Sequence, residues 1–126
     1  MNIYIDNFDV NKINLSLLNF MDHLHNYLDN GWKISKKKNI YILKKNECKM
    51  IIHDKTISSH VYNPDDNTSH KYILCFIYNA LNIGWVIKKS NANYIFMKNH
   101  EGKKEFFSND YINTFIKENF NSYLIK

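Results

Sequence analysis

The sequence lacks arginine, has three isolated glycines, one proline and two cysteines, and contains no apolar run of membrane-spanning length. Because the glycines are isolated, there is no glycine-rich phosphate loop, and the N-terminal "MNIYIDNFDV" lacks the basic and apolar regions of a signal peptide. Cys48 and Cys75 fit a reducing compartment better than a disulfide scaffold. We therefore expect an intracellular protein that is not secreted and does not enter a membrane.

The titratable side chains form no catalytic or metal-binding motif. The six histidines are scattered, and His23 and His25 are two residues apart on a predicted helix, so they point to different faces and cannot easily share an ion. Acid and base residues are adjacent in "HDK" (53–55) and "NHE" (99–101), but no nucleophile motif lies beside them. We expect no enzyme activity, no metal, no cofactor and no small-molecule substrate.

What the chain has in quantity is lysine, asparagine, isoleucine and aromatic residues, a bias that indicates an A/T-rich genome. Its 126 residues and 44% hydrophobic content are enough for a packed core. The net charge of +5 is unevenly distributed: −3 in residues 1–30, +6 in 31–60, −1 in 61–80 and +3 in 81–126. All 17 basic residues are lysine, and they are concentrated in two segments.

The two positive segments repeat each other. At a constant offset of 53, residues 71–99 match residues 18–46 at ten of 29 positions, where this composition predicts roughly three matches. Each copy has an apolar stripe with helical spacing, then Gly-Trp, then two short alternating runs joined by a polar turn, and a third run. Gly31 and Gly84 lie where a helix would end in the left-handed conformation, and the tryptophan after each is expected in the core.

These patterns predict an α+β fold made of two fused copies of a helix–three-strand–helix unit, with a pseudo-two-fold internal repeat. The first unit spans 1–62 with an N-terminal extension, a linker with the single proline spans 63–69, and the second unit spans 70–126. Asn14 or Ser16 is expected to cap the first helix and Ser69 the second. A closing helix is clear in "SNDYINTFIKENF" (108–120), whereas the first copy has only a stub at 54–62.

The segment "GWVIKKSNANYIFMKNHEGKKEFFS" (84–108), in an arginine-free chain, resembles small proteins of A/T-rich giant viruses of the mimivirus type and of their mobile elements. The resemblance covers residues 70–120, and 17–46 less well, since Glu47-Cys48 stands where the second copy has His100-Glu101. It implies a viral origin and a location in the virion or in the host-cell cytoplasm, at a viral factory. It carries no catalytic residues.

The lysines of the repeated segments are the candidate functional residues, because few acids are interspersed among them and two pairs, Lys36/Lys89 and Lys45/Lys98, recur. We expect a homodimeric basic protein that binds DNA, or alternatively RNA, without catalysis, and that packages or coats a viral genome. Binding should be largely independent of sequence, since lysine lacks the planar fork that reads guanine. The predicted nucleic-acid-binding residues are Lys33, Lys36, Lys37, Lys38, Lys44, Lys45, Lys49, Lys88, Lys89, Lys98, Lys103 and Lys104.

The alternative is a protein–protein interaction module or a homodimeric structural virion protein, in which the lysines only provide solubility. Nucleic-acid binding predicts that the lysines lie exposed on one continuous surface. The alternative predicts scattered lysines and an apolar patch larger than roughly a few hundred Å². Tyr41 and Tyr94 lie among the lysines and could stack on unpaired bases, but their alternation with apolar residues favours the core.

Overall fold

The fold is described from a computed structural model, which describes residues 14–54, 61–62, 68–91, 93–98, 102–108, 110–112 and 114, without the side chains of 68, 69 and 103. The elements in chain order are α1 (Leu15–Asp29), β1 (Lys33–Lys37), β2 (Ile40–Lys45), β3 (Cys48–His53), α2 (Thr68–Asn82), β4 (Val86–Ser90), β5 (Asn93–Lys98) and β6 (Lys103–Ser108). Residues 110–112 and 114 are also helical. The predicted N-terminal extension and most of the predicted stub and closing helix lie outside the described residues.

The six strands form a single antiparallel sheet in the order β3-β2-β1-β4-β5-β6. Each half of the chain contributes a three-stranded meander, and the two meanders join where β1 pairs with β4. The paired residues at this junction are Ile34 and Ile87, which are separated by the 53-residue offset of the repeat. The edges of the sheet are β3 and β6.

The predicted fold class is wrong. The molecule is an α+β protein, but its strands do not divide into two helix–three-strand–helix units; they form one sheet, to which each half contributes a 15-residue helix followed by three strands. The physical reason is that the first strand of each meander would otherwise be an edge with unpaired backbone N–H and C=O groups. Pairing β1 with β4 provides hydrogen-bond partners for both strands. Since α1 and α2 both contact β1 and β4 as well as each other, the two helices together cover the apolar face.

The core lies between the two helices and one face of the sheet. Alternate strand residues point into it, as the two-residue period of a strand requires. Tyr41 and Tyr94 are 0% and 1% exposed, so the prediction that they are core residues is confirmed. The other fully buried strand residues are Ile34, Leu43, Ile87 and Phe96, and the helices add Phe20, Leu24, Leu28, Leu74 and Phe76 among others.

Both helices end in the same motif, which accounts for the repeated Gly-Trp. The N–H of Gly31 donates to the carbonyl of Leu28, and the N–H of Trp32 donates to the carbonyl of Tyr27. This pair of bonds defines a Schellman motif, which needs a left-handed residue at the position after the cap. Gly31 has a φ of +91°, and Gly84 at the end of α2 has a φ of +99° with the equivalent bonds. The predicted glycine caps are therefore confirmed.

The helix starts agree with the sequence only in the first half. The side chain of Asn14 accepts a hydrogen bond from the N–H of Leu17 at 2.8 Å, so the predicted cap of α1 is confirmed. The second helix begins at Thr68, so Ser69 lies in its first turn rather than at its cap. It therefore begins inside the segment 63–69 that the sequence marks as a linker.

Candidate nucleic-acid interface

The sheet has a face packed against the helices and an opposite face, which we call the open face. Ile51 and Phe106 lie on the open face and are 51% and 62% exposed. The register places these residues on it: Lys33, Ser35, Lys37, Ile40, Ile42, Lys44, Lys49, Ile51, His53, Val86, Lys88, Ser90, Asn93, Ile95, Met97, Lys104, Phe106 and Ser108. Six of them are lysines and none is acidic.

Four of the six lysines lie side by side across four adjacent strands. Lys49 of β3 pairs with Lys44 of β2, and Lys44 pairs with Lys33 of β1. Lys33 and Lys88 are the residues next to the central pair of β1 and β4, so the antiparallel register sets them opposite each other. We call Lys49, Lys44, Lys33 and Lys88 the lysine row. With adjacent strands about 4.8 Å apart, the lysine row extends over roughly 14 Å.

The lysine row is unfavourable for the isolated fold. Like charges directly opposite each other on neighbouring strands are destabilising, by up to about 1 kcal/mol for a pair. Lys44, Lys49 and Lys88 are exposed and Lys33 is half-buried, and none of the four has an acidic neighbour on the open face. Two acids of the strand region lie on the helix side: Glu105 is directly opposite the buried Phe96, and Asp54 lies 3.4 Å from the Nζ of Lys36. Among the described residues of the open face, every residue with a full charge is therefore a lysine.

The same line of residues continues into an apolar end. Lys88 pairs with Ile95 of β5, and Ile95 pairs with Phe106 of the edge strand β6. The ring of Phe106 is 62% exposed, and the Nζ of Lys104 lies 5.4 Å from its centroid. A single cross-strand line thus carries four lysines, one isoleucine and one exposed aromatic ring, spanning all six strands.

A second line, two residues further along each strand, is mainly apolar. It runs from Ile51 through Ile42, Ser35, Val86 and Met97, and ends at Lys104. Ile51 is exposed, whereas Ile42, Val86 and Met97 are half-buried by their neighbours. We call this set the apolar row. The open face therefore presents a charged row beside an apolar row.

The twelve predicted lysines do not lie on one continuous surface, so that expectation is wrong; six lie on the open face and the others lie on the helix side, in a turn or at a strand end. Those on the open face are Lys33, Lys37, Lys44, Lys49, Lys88 and Lys104. Lys38 lies in the turn between β1 and β2, and the helix side carries Lys36, Lys45, Lys89 and Lys98. Lys103 pairs with Lys98 in the register. The sequence identified every lysine of the open face but could not separate them from the others.

The recurring lysines contact the helices. The Nζ of Lys36 donates to Oδ1 of Asn82 at the end of α2, and the Nζ of Lys89 donates to Oδ1 of Asp29 at the end of α1, at 2.7 Å. Asn82 and Asp29 are also 53 residues apart, so a strand of each half holds the helix of the other half. Each lysine also lies over the ring of the tyrosine opposite it, at 5.3 and 5.1 Å. Packing therefore accounts for their recurrence.

Sequence reasoning missed a buried polar group beside this contact. The Nε2 of His25 lies 2.8 Å from the hydroxyl of Tyr94, and its Nδ1 lies 3.4 Å from Oδ2 of Asp29. These partners favour the tautomer in which Nδ1–H donates to the carboxylate and the Tyr94 hydroxyl donates to Nε2. The hydrogen bond from His25, helped by Lys89 and opposed by partial burial, holds the pKa of Asp29 well below its usual range. The signal available in the sequence was the i, i+4 spacing of His25 and Asp29.

This polar group connects α1 to the sheet. Burial raises the pKa of Tyr94 above its usual value, so its hydroxyl keeps its proton at neutral pH. His25, Asp29 and Lys89 satisfy one another, and they tie α1 to β4 and β5. Within the described part of the chain, no three His, Cys, Asp or Glu side chains lie close enough together to hold a metal ion.

Other features of the described residues add no second site. A cavity of about 350 Å³ lies at the start of α1, and its described lining, Asn14, Ser16, Leu17 and Phe20, has no titratable group. Neither α1 nor α2 combines the length and apolar character that a membrane span requires. The thiol of Cys75 is buried, which raises its pKa to about 12.

Neither a scan of protein-family models nor searches of curated proteins and of solved structures find a match to this chain. The resemblance to proteins of giant viruses therefore stays a prediction.

Proposed function

We propose that this protein binds nucleic acid, DNA in the first place, through the open face, without catalysis and largely independently of sequence. The observation that carries the proposal is the lysine row, in which Lys49, Lys44, Lys33 and Lys88 lie opposite one another, with no acid beside them on the described strands. A solvated surface normally intersperses both signs of charge, and the described residues of this face include lysines but no acid.

A polyanion relieves the repulsion within the lysine row. Each lysine that neutralises a phosphate also releases condensed counterions, which is the main source of sequence-independent affinity. The spacing of about 4.8 Å between strands keeps the ammonium groups close enough to follow one phosphate backbone. The row therefore costs stability in the free protein and contributes affinity in the complex.

The chemistry of the row favours backbone contact over base readout. Lysine is a point charge without the bidentate geometry that arginine offers to guanine or to phosphate. Contacts to phosphate fix position but carry no sequence information. Packaging or coating of a genome is an activity of this kind, because it requires affinity for the backbone at every sequence.

The test compares two neighbouring lysines that point to opposite faces. Lys44 lies in the lysine row, and Lys45 lies on the helix side opposite Cys48, so Lys44→Glu and Lys45→Glu change net charge equally. Affinity for labelled oligonucleotides is measured by fluorescence anisotropy between about 50 and 200 mM salt. We expect Lys44→Glu to lower the affinity about tenfold and to reduce the salt slope by about 1, and Lys45→Glu to have little effect.

Four phosphate contacts predict that the logarithm of the binding constant for a single strand falls with the logarithm of the salt concentration with a slope of about −3. Between about 50 and 200 mM salt this is roughly a 50-fold loss of affinity. Absence of binding at the lowest salt would refute the proposal. Equal losses in Lys44→Glu and Lys45→Glu would show that only net charge matters and would also refute the assignment to the open face.

The apolar row favours a second candidate function, binding of a protein partner or a second copy of the chain. Its side chains Ile51, Ile42, Val86 and Met97 lie together on the open face, and Ile51 is 51% exposed. Sedimentation analysis of the wild type and of Ile51→Asp tests it. A dimer that Ile51→Asp dissociates, without any affinity for oligonucleotides, would support this candidate over nucleic-acid binding.

A further inference from the structure

We infer that the nucleic acid on the open face is single-stranded and that Phe106 stacks on one of its unpaired bases. The inference rests on the proposed function and specifies the ligand of the same face. The observation behind it is the continuous line of residues from Lys49 to Phe106, in which the four charges come first and the aromatic ring comes last.

The line has two chemically different ends. The lysine row occupies β3, β2, β1 and β4, and Ile95 and Phe106 occupy β5 and β6. Five gaps of about 4.8 Å give a length of roughly 24 Å. A strand laid along this line would have phosphates against the lysines and would reach Phe106 with a base, because an apolar ring attracts a base face and not a phosphate.

The width of the face does not suit the major groove of an undeformed duplex. The major groove of a duplex is about 12 Å wide and admits one helix or a two-stranded ribbon. The open face is six strands wide, with Phe106 and Lys49 near opposite edges, so it does not fit the major groove of an undeformed duplex. Such a duplex would meet the face through its outer phosphates, and its bases would stay stacked inside the helix, out of reach of Phe106.

The exposure of Phe106 has no structural explanation within the described residues. Phe96 and Tyr94 of the same sheet point to the helices and are buried, whereas Phe106 is 62% exposed. Of the residues on the open face, it is the one with a phenyl, phenol or indole ring. Its aromatic neighbour in sequence, Phe107, packs against Phe96 at 5.5 Å between ring centroids and against Tyr111 at 4.8 Å. An exposed ring beside Lys104 and Ile95 has the composition of a base-stacking site.

The experiment measures the affinity of the full chain for oligo(dT) of about eight nucleotides and for a duplex of the same length, with variants at Phe106. Stacking of one base on an aromatic ring is lost in Phe106→Ala, so affinity for the single strand should fall about fivefold or more. Affinity for the duplex should not change. Val61→Ala is the control, because Val61 is 69% exposed, lies outside the six strands and has no π face.

Phe106→Trp gives a direct signal, because oligo(dT) that stacks on the new tryptophan should quench its fluorescence. The wild type, with its native Trp32 and Trp85, is the reference and should show less quenching. Unchanged single-strand affinity in Phe106→Ala, while Lys44→Glu still loses binding, would overturn the inference and leave the proposed function intact. Tighter binding of the duplex than of the single strand would also overturn it. Sedimentation with anionic phospholipid vesicles, in a protein that binds no oligonucleotide, would overturn both.

Discussion

Ile34 and Ile87 face each other at the centre of the sheet, and they are the same position in the two halves of the chain. In an antiparallel pair, two residues that are directly opposite are exchanged by a local two-fold rotation. The local two-fold axis that relates the two copies of the repeat therefore passes through the junction of β1 and β4. Both side chains are 0% exposed, so this junction is also the middle of the core.

Truncation at this junction should destabilise the fold strongly. Ile34→Ala and Ile87→Ala should each lower the free energy of unfolding by about 2–4 kcal/mol, because a buried isoleucine loses its contacts and leaves a cavity. The double variant should deviate from the sum of the two, since residues in contact share the cavity. Urea denaturation measures all three, with the exposed Ile51→Ala as the control expected to change the free energy by less than about 0.5 kcal/mol. A small effect of Ile34→Ala would contradict the central position of β1.

Local patterns in the sequence were sufficient for most of the elements. The helical stripes, the glycine ends and the three short strands that follow each helix all depend on residues close together in the chain. The joining of the two meanders was missed, because alternation identifies the two faces of a strand but not the strand that will pair with its free edge. The described part of the closing helix predicted for the second copy, residues 110–112 and 114, is helical, and Ile112 is buried in the same core.

The sequence predicted which lysines could belong to the interface, but it did not predict which of them share one face of the sheet. Lys44 and Lys45 have similar local sequence, yet one joins the lysine row and the other faces the helices. Only the register shows that Lys88, from the other half, completes the row. Phe106 was not singled out, since "KEFFS" contains two phenylalanines and the pleat decides which is exposed.

The turn between β1 and β2 carries a stability cost at Lys38. Its φ of +58° lies in the left-handed region, and the equivalent residue of the second half is Asn91, with a φ of +57°. Asparagine tolerates this region better than lysine. Lys38→Asn should raise the free energy of unfolding by about 0.5–1 kcal/mol, since it removes part of the roughly 1–2 kcal/mol cost of left-handed backbone.

Asn91→Lys is the reciprocal control and should lower the free energy of unfolding by a similar amount. Thermal denaturation of both variants checks the prediction. If Lys38→Asn is neutral while Asn91→Lys destabilises, the backbone at Lys38 is not strained in the way its dihedral angle implies.

Acid should weaken the attachment of α1 through Asp29. Its pKa is lowered in the folded state by the hydrogen bond from His25 and then by Lys89, so the carboxylate stabilises the fold above its unfolded pKa of about 4. This contribution is lost as the pH falls from about 4 toward the lower folded value. Because the side chain is 45% exposed, solvent screening limits the effect to about 1 kcal/mol or less.

The measurement is the free energy of unfolding of the wild type and Asp29→Asn between pH 2 and pH 7. We expect Asp29→Asn to be less stable at neutral pH, and the difference to shrink as the pH falls below about 4. Glu47→Gln, which removes an exposed turn carboxylate, controls for the change in net charge. A difference that stays constant down to pH 2 would contradict the assigned role of the carboxylate.

The lysine row should make stability and affinity change in opposite directions. Lys44 is opposite Lys33 on one side and Lys49 on the other, so Lys44→Glu replaces two repulsive cross-strand pairs with two attractive ones. The free energy of unfolding should rise by about 0.5–2 kcal/mol at low salt, and by less at high salt, where exposed charges are screened. Lys45→Glu, opposite Cys48, should change it by less than about 0.5 kcal/mol.

Thermal denaturation at about 20 and 500 mM salt, paired with the anisotropy titration, measures both quantities on the same variants. A Lys44→Glu protein that is more stable but binds oligonucleotides poorly would show that the lysine row lowers the stability of the fold and is needed for binding. A destabilised variant would mean that the lysines of the row are not close enough to repel one another, and the argument for a polyanion on this face would fail with it.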